Sequence, residues 1–98
     1  MPKLVEFHEE ALAEVEAAFD WYLSKSERVA TEFLEELDRA IEMIILSPER
    51  WLSATKGTRR YLLRRFPFAV VYRELPSVIQ IVAVAHGRRR PGYWKKRV

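Results

Sequence analysis

The sequence predicts an α+β domain in which a helical hairpin packs on one face of a mainly antiparallel sheet, in the order β-α-α-β-β-β. Three observations predict it. Apolar residues recur at helical spacing through two consecutive stretches of the first half. The second half switches to β-branched and aromatic runs punctuated by Pro67 and Pro76. The two helical stretches are joined by so few residues that they must run antiparallel.

Leu4-Val5-Glu6-Phe7 partly alternates and reads as a first strand. From His8 onward, Leu12, Val15, Phe19 and Tyr22 recur at intervals of three and four, while Glu9, Glu10, Glu14, Glu16 and Asp20 fill the other side, the pattern of an amphipathic helix. Trp21 falls off that stripe and is expected at the surface. Ser24-Lys25-Ser26 ends the helix, and Ser26 can cap a second one whose apolar face is Ala30, Phe33, Leu37, Ile41, Ile44 and Ile45. Ser47-Pro48 stops it, because the residue before a proline is pushed out of the helical region.

After a loop through Ser53 and Gly57, three strands are predicted over residues 59–65, 68–73 and 78–85. The last is apolar on both parities except at Gln80, which marks a central strand. Strict alternation puts Gln80, Val82, Val84 and His86 on one side. Arg60, Leu62 and Arg64 share a side in the strand over 59–65. Burying two arginines under the helices costs far more than exposing one leucine, so Tyr61 and Leu63 are assigned to the helix side. The face away from the helices is thus expected to gather Arg60, Arg64 and His86, with the tail from Arg88 to Arg97 beside it.

Composition bounds the function. Ninety-eight residues make a single domain, 1–98, and 49% apolar residues suffice for a core. The absence of cysteine excludes disulfides, thiolate nucleophiles and Cys-based zinc sites. His8 and His86 have no ligand spacing, and three glycines form no phosphate-cradling loop, so no metal and no cofactor are expected. The N-terminal stretch turns acidic before a signal-peptide core can form and no apolar run reaches membrane-spanning length, so a soluble, cytoplasmic protein without membrane contact is expected. Charge is the sharpest signal. Residues 1–50 hold 5 Lys and Arg against 13 Asp and Glu, whereas residues 51–98 hold 12 against 1. A cationic surface of that density steers a polyanion or an acidic partner. The positive charge lies on strands and tail rather than on a helix, which disfavours a simple basic nucleic-acid-binding module of helix-turn-helix type.

Across nearly its whole length the chain resembles the RelE/ParE superfamily of toxins from type II toxin-antitoxin modules. The resemblance rests on Trp21-Tyr22 near the end of the first helix, Ser47-Pro48, Gly57-Thr58-Arg59, Phe66-Pro67-Phe68 leading into Val70-Val71-Tyr72-Arg73, and Ile81 to His86 followed by Arg88-Arg89, Pro91, Tyr93-Trp94 and Arg97. It implies a growth-arresting toxin, of the kind that stabilises plasmids, neutralised by a cognate antitoxin protein. Trp21, Tyr22, Phe33 and Leu37 are then the expected antitoxin contacts. RelE-like members cleave messenger RNA on the ribosome without a metal; ParE-like members poison DNA gyrase and are not nucleases. In the first case Arg64, His86, Arg89 and Tyr93 match the catalytic positions, since RNA cleavage needs a proton acceptor, cations for the phosphorane and a proton donor. In the second, Lys56, Arg59, Arg60, Arg64, Arg88, Arg89 and Arg90 form a target-binding basic face. Trp94 is expected to fold back on the core as an anchor. The lysine pair of RelE-like sequences is reduced to Lys56, and Ala69 stands where an arginine is often found. Gly57-Thr58-Arg59 and His86-Gly87-Arg88-Arg89 resemble ParE-like pieces, which tips the reading to the gyrase-directed, non-enzymatic side.

Overall fold

The computed structural model describes residues 3–98; Met1 and Pro2, which open the acidic N-terminal stretch, lie outside the described residues. The chain forms β1 (Leu4–Phe7), α1 (Glu9–Leu23), α2 (Glu27–Leu46), β2 (Leu52–Ser53), β3 (Arg59–Leu62), β4 (Phe68–Glu74) and β5 (Val78–His86), and ends in a 3-10 turn, Lys95–Arg97. The helix starts follow local chemistry. His8 Nδ1 accepts the Glu10 N–H at 3.1 Å, and Glu9 and Glu10 oppose the positive end of the α1 dipole. Ser26 Oγ accepts the Val29 N–H at 3.3 Å, the cap expected for α2.

The sheet order is β1-β5-β4-β3-β2, with β1 parallel to β5 and every other pair antiparallel. Both helices cover one face. Ala11, Val15 and Ala18 of α1, with Phe33, Leu37, Ala40 and Ile44 of α2, meet Val70, Tyr72, Ile79, Ile81 and Val84 in the main core. The buried stripe of α1 therefore runs through its alanines, and Leu12, expected inside, is 47% exposed. Small residues let α1 lie close on β5. Tyr72 is fully buried and its hydroxyl donates to the Pro48 carbonyl at 2.5 Å, tying β4 to the end of α2, and burial pushes its pKa up to about 12.

Three features depart from the sequence reading. The two-residue β2 was read as loop; it pairs with β3 because Arg59 donates to the Trp51 carbonyl at 2.8 Å and to Ser53 Oγ at 3.1 Å, holding a hairpin whose turn carries Lys56 and Gly57 at φ of 59° and 69°. β3 stops at Leu62 instead of Arg65, since Arg64 and Arg65 turn their backbone N–H groups toward Glu36. The third departure is a bulge. Tyr72 pairs with Ile81 but Val71 pairs with Ala83, so β5 carries one extra residue at this step and its alternation flips. Gln80 and Val82 keep the face away from the helices, where Gln80 accepts from Arg73 Nε at 2.8 Å. Val84 turns to the helix side, and His86, opposite Phe68, follows it.

The face expected to be open is half covered. Trp94, 6% exposed, packs with Val71, Val82 and Ala83, and Tyr93 and Val98 flank them, so the predicted anchor is in place. The tail is locked at the free edge of β5. The β1–β5 pairing stops at Phe7 and Ile81, His8 N–H donates to the Ile81 carbonyl at 2.9 Å, and the chain departs into α1. Beyond that point side chains replace the missing strand. Glu14 accepts the Val84 N–H at 3.0 Å, and Arg97 donates to the Val82 carbonyl at 3.1 Å. Arg97 and Glu14 are joined by two hydrogen bonds of 3.0 and 3.1 Å, and the Tyr93 hydroxyl donates to Glu14 at 2.6 Å.

Burial alone raises the Glu14 pKa, yet the bonds from Arg97, Tyr93 and Val84 outweigh it and hold the carboxyl below its ordinary value. Glu36 is balanced the same way: burial raises it, and hydrogen bonds from Arg65 and Arg64 bring it below the ordinary value. A carboxyl depressed by folding stabilises the fold fully above its unfolded pKa and loses that contribution as pH falls through the folded one. Chemical denaturation should therefore show constant carboxylate-linked stability near neutral pH and a decline once pH drops below the ordinary value of 4.5. Glu14→Gln should make that decline shallower and, by leaving the buried Arg97 only the exposed Glu10, 3.3 Å away, as a countercharge, cost about 2 kcal/mol at neutral pH. An acid limb as steep in the variant as in the parent would contradict this.

Candidate functional site

Between the second sheet face and the returning tail lies a groove of about 590 Å³. Its floor follows from alternation: Leu62 pairs with Ala69, Ala69 with Ala85 and Arg60 with Val71, placing these side chains on the face away from the helices. Leu62 is 55% exposed and forms the apolar lip. Pro91, Tyr93 and Trp94 make the far wall, and Arg60, Arg89, Arg90 and Lys95 stand exposed at the rim. Among the described residues no Asp or Glu lines the groove. An apolar floor ringed only by cations concentrates anionic groups and gives them an apolar surface to cover.

The predicted basic face divides between two places. Arg60, Arg89 and Arg90 border this groove, whereas exposed Arg88 stands outside its lining and donates its backbone N–H to His86 Nδ1 at 3.0 Å. Arg59 faces the helix side opposite Tyr72 with its guanidinium bound to the β2 hairpin, and Lys56 sits exposed at the hairpin turn. Arg64 lines a different cleft, against α2, with Glu36, Arg39, Met43 and Tyr61.

Of the four residues matched to catalytic positions, His86, Arg89 and Tyr93 line the groove and Arg64 does not. Tyr93 and Arg89 do meet, the guanidinium lying 3.9 Å from the ring centre. The Tyr93 hydroxyl, however, is bound to Glu14, and burial first and that hydrogen bond second push its pKa up, which favours the protonated form. His86 stands edge-on to Phe68 with ring centres 5.1 Å apart, turned to the helix side by the bulge. It leaves the alternation expected for the second face yet still lines the groove, whereas the expected place of Arg64 is corrected, because the early end of β3 carries it away. Of the expected antitoxin contacts, Trp21 is 59% exposed, Tyr22 is half-buried against Phe33 and Phe66, and Phe33 and Leu37 belong to the core at 0% and 4% exposure.

Sequence reasoning missed the two acids that organise the site, Glu14 and Glu36, by assigning charge on the helices to solvent. A signal was present. Glu14 falls between Ala11 and Ala18, and Glu36 between Phe33 and Ala40, at spacings of three and four, so each lies on a buried stripe where an acid needs specific partners. The small residues of the groove floor were missed too, because only the fold of the tail closes a groove over them.

The geometry has close counterparts among solved structures. The chromosomal ParDE toxin-antitoxin system from P. aeruginosa superposes with a TM-score of 0.75 at 19% identity, over 86% of this chain and 95% of that one. A doubly substituted RelE toxin of E. coli in the free state gives 0.63 at 19% identity over 90% and 86%. The isolated E. coli RelE toxin gives 0.62 at 19% identity over 96% and 94%. These likenesses establish the fold, two helices on a five-stranded mixed sheet, which RelE and ParE toxins share. No curated protein sequence matches the chain significantly. The family model for the ParE toxin of the type II toxin-antitoxin system parDE matches residues 5–91, spanning the hairpin, the groove strands and the arginine run. The chain accordingly belongs to the ParE toxin family of type II toxin-antitoxin systems.

Proposed function

We propose that the chain arrests growth by binding DNA gyrase through the cationic groove, without cutting nucleic acid itself. The observation that carries this reading is the commitment of Tyr93 to Glu14 together with the separation of Arg64 from the groove. RNA cleavage by its own 2′-hydroxyl needs a proton acceptor, a proton donor and a cation around a single phosphate. Here the hydroxyl is spent on holding the tail, the strand arginine points into another cleft and His86 Nδ1 is occupied by the Arg88 backbone. What the groove offers is a binding surface: an apolar floor, four Arg and Lys side chains, His86 and, among the described residues, no acid. That suits an anionic target patch, with steering by charge and contact area from exposed Leu62 and partly exposed Ala69 and Ala85.

Membership of a type II toxin-antitoxin family implies an antitoxin partner. Its contact on the hairpin is proposed at Trp21, which projects from α1 over the half-buried Tyr22 with ring centres 5.2 Å apart. Phe33 and Leu37 act behind them by fixing the hairpin. Aromatic anchors of this kind carry binding energy out of proportion to their number.

Purified protein incubated with gyrase, ATP and plasmid should inhibit supercoiling and accumulate cleaved plasmid, and should leave messenger RNA on translating ribosomes intact. Reversing two rim charges, Arg60→Glu with Arg90→Glu, should weaken gyrase inhibition roughly tenfold or more with the circular dichroism spectrum unchanged. Ribosome-dependent cleavage with no effect on gyrase would instead make the chain a RelE-like endoribonuclease. For the antitoxin contact, Trp21→Ala should weaken binding of the cognate antitoxin by about 2 kcal/mol, read by calorimetry, with little loss of fold stability because the ring is exposed. Unchanged affinity would remove Trp21 from the interface.

A further inference from the structure

The outer face of α1 is the chemical complement of the groove. Buried Ala11, Val15 and Ala18 turn one side of the helix to the sheet, and helical periodicity puts Glu9, Glu16 and Asp20 on the opposite side, where all three are exposed. Leu12 and Leu23 lie beside these acids, 47% and 44% exposed. α1 contains no Lys or Arg, and among the described residues none of the three acids pairs with a cation. The helix face thus joins uncompensated acids to apolar side chains. The groove joins uncompensated cations, Arg60, Arg89, Arg90 and Lys95, to an apolar floor and the exposed Leu62. α2 offers no such face, because exposed Arg28 and Arg39 stand among its outward acids.

We infer that the groove docks α1 of a second copy of the chain, with Glu16 and Asp20 among the rim cations and the leucines of α1 against Leu62 and the floor. An amphipathic helix laid in a groove is a recurring mode of recognition, and here each surface carries only the charge that the other lacks. Like charge disfavours the alternatives, since groove on groove sets cations against cations and α1 on α1 sets acids against acids. The two surfaces lie on opposite faces of the sheet, α1 on the helix side and the groove on the other. One two-fold axis cannot satisfy both contacts at once, so the interface is head-to-tail. Every assembly then keeps a free α1 at one end and a free groove at the other. A filled groove is withdrawn from any other target, and the inference holds whether or not that target is gyrase.

The test is analytical ultracentrifugation of the purified full chain over a range of concentrations, at about 50 mM and about 500 mM salt. At the lower salt the weight-average mass should climb with concentration without levelling at two copies, and at the higher salt it should return to that of one chain. E16Q combined with D20N neutralises the helix face, and R60Q combined with R90Q neutralises the groove rim. Each pair should raise the apparent Kd of self-association roughly tenfold or more. All four side chains are exposed, so the circular dichroism spectrum should not change. Mixed in equal amounts, the two variants should form a complex of two chains that grows no further, because one contributes an intact α1 and the other an intact groove. The inference is overturned by a parent that stays monomeric at low salt, by association that salt or either variant leaves unchanged, or by a mixture that forms no complex. A parent mass that levels at two copies would overturn it in favour of a closed pair.

Discussion

Everything about the tail, the groove and the placement of α1 depends on how the outer edge of β5 is satisfied. β5 is nine residues long, and β1 pairs with only the first four of them. The remaining edge carries an N–H at Val84 and a carbonyl at Val82 at the centre of the molecule, where an unmet backbone group costs as much as a lost hydrogen bond. A carboxylate from α1 and a guanidinium from the tail meet these groups and each other. Because one acid serves the strand, Arg97 and Tyr93 together, the helix, the sheet edge and the tail are fastened at one point. The ionic pair is half of a structural joint.

The same logic governs the opposed charges of the two halves of the chain. Most of the acids of the helices and most of the cations of the strands and tail face solvent in separate territories. Where the halves touch at a buried position, an acid on a helical stripe receives backbone N–H groups and an arginine from the basic half: Glu14 with Val84 and Arg97, Glu36 with Arg64, Arg65 and its side chain. A buried ion pair adds little to stability over apolar packing, but breaking it is expensive. These two contacts therefore set geometry more than strength. Glu36 ends β3 and aims Arg64; Glu14 seats the tail and aims Tyr93.

Element type and order were legible in the sequence because periodicity, caps and prolines report them directly. Ser26 and Pro48 bound α2, and the apolar run of β5 announces a strand buried on both faces. Sidedness after Ile81 was not legible. The bulge opposite the Val71–Tyr72 step has no residue signature, since Val82 is as good a strand former as its neighbours, yet it reverses every later position and sets His86 opposite Phe68, where it still lines the groove. The end of β3 was hidden for a different reason: Arg60, Leu62 and Arg64 alternate perfectly, and only a carboxylate 28 residues earlier turns the strand aside. The stripe of α1 was misplaced by one position because alanine contributes little to a hydrophobic pattern but much to close approach.

The joint at Glu14 also bears on the proposed use of this cation-rich groove as a binding surface. Tyr93 can hold the tail only by donating its proton to a carboxylate that folding keeps ionised, and the same bond raises the barrier to ever releasing that proton. A hydroxyl acting as general acid must exchange its proton with substrate, so Tyr93 could act in that way only by giving up its bond to Glu14. Arg89, stacked on that immobile ring, is pre-positioned at no further entropic cost, which favours contact with a static anionic surface. The groove wall at Tyr93 is thus tied to the fold through Glu14 and Arg97, and on the gyrase-binding reading proposed above that fixed wall would serve recognition.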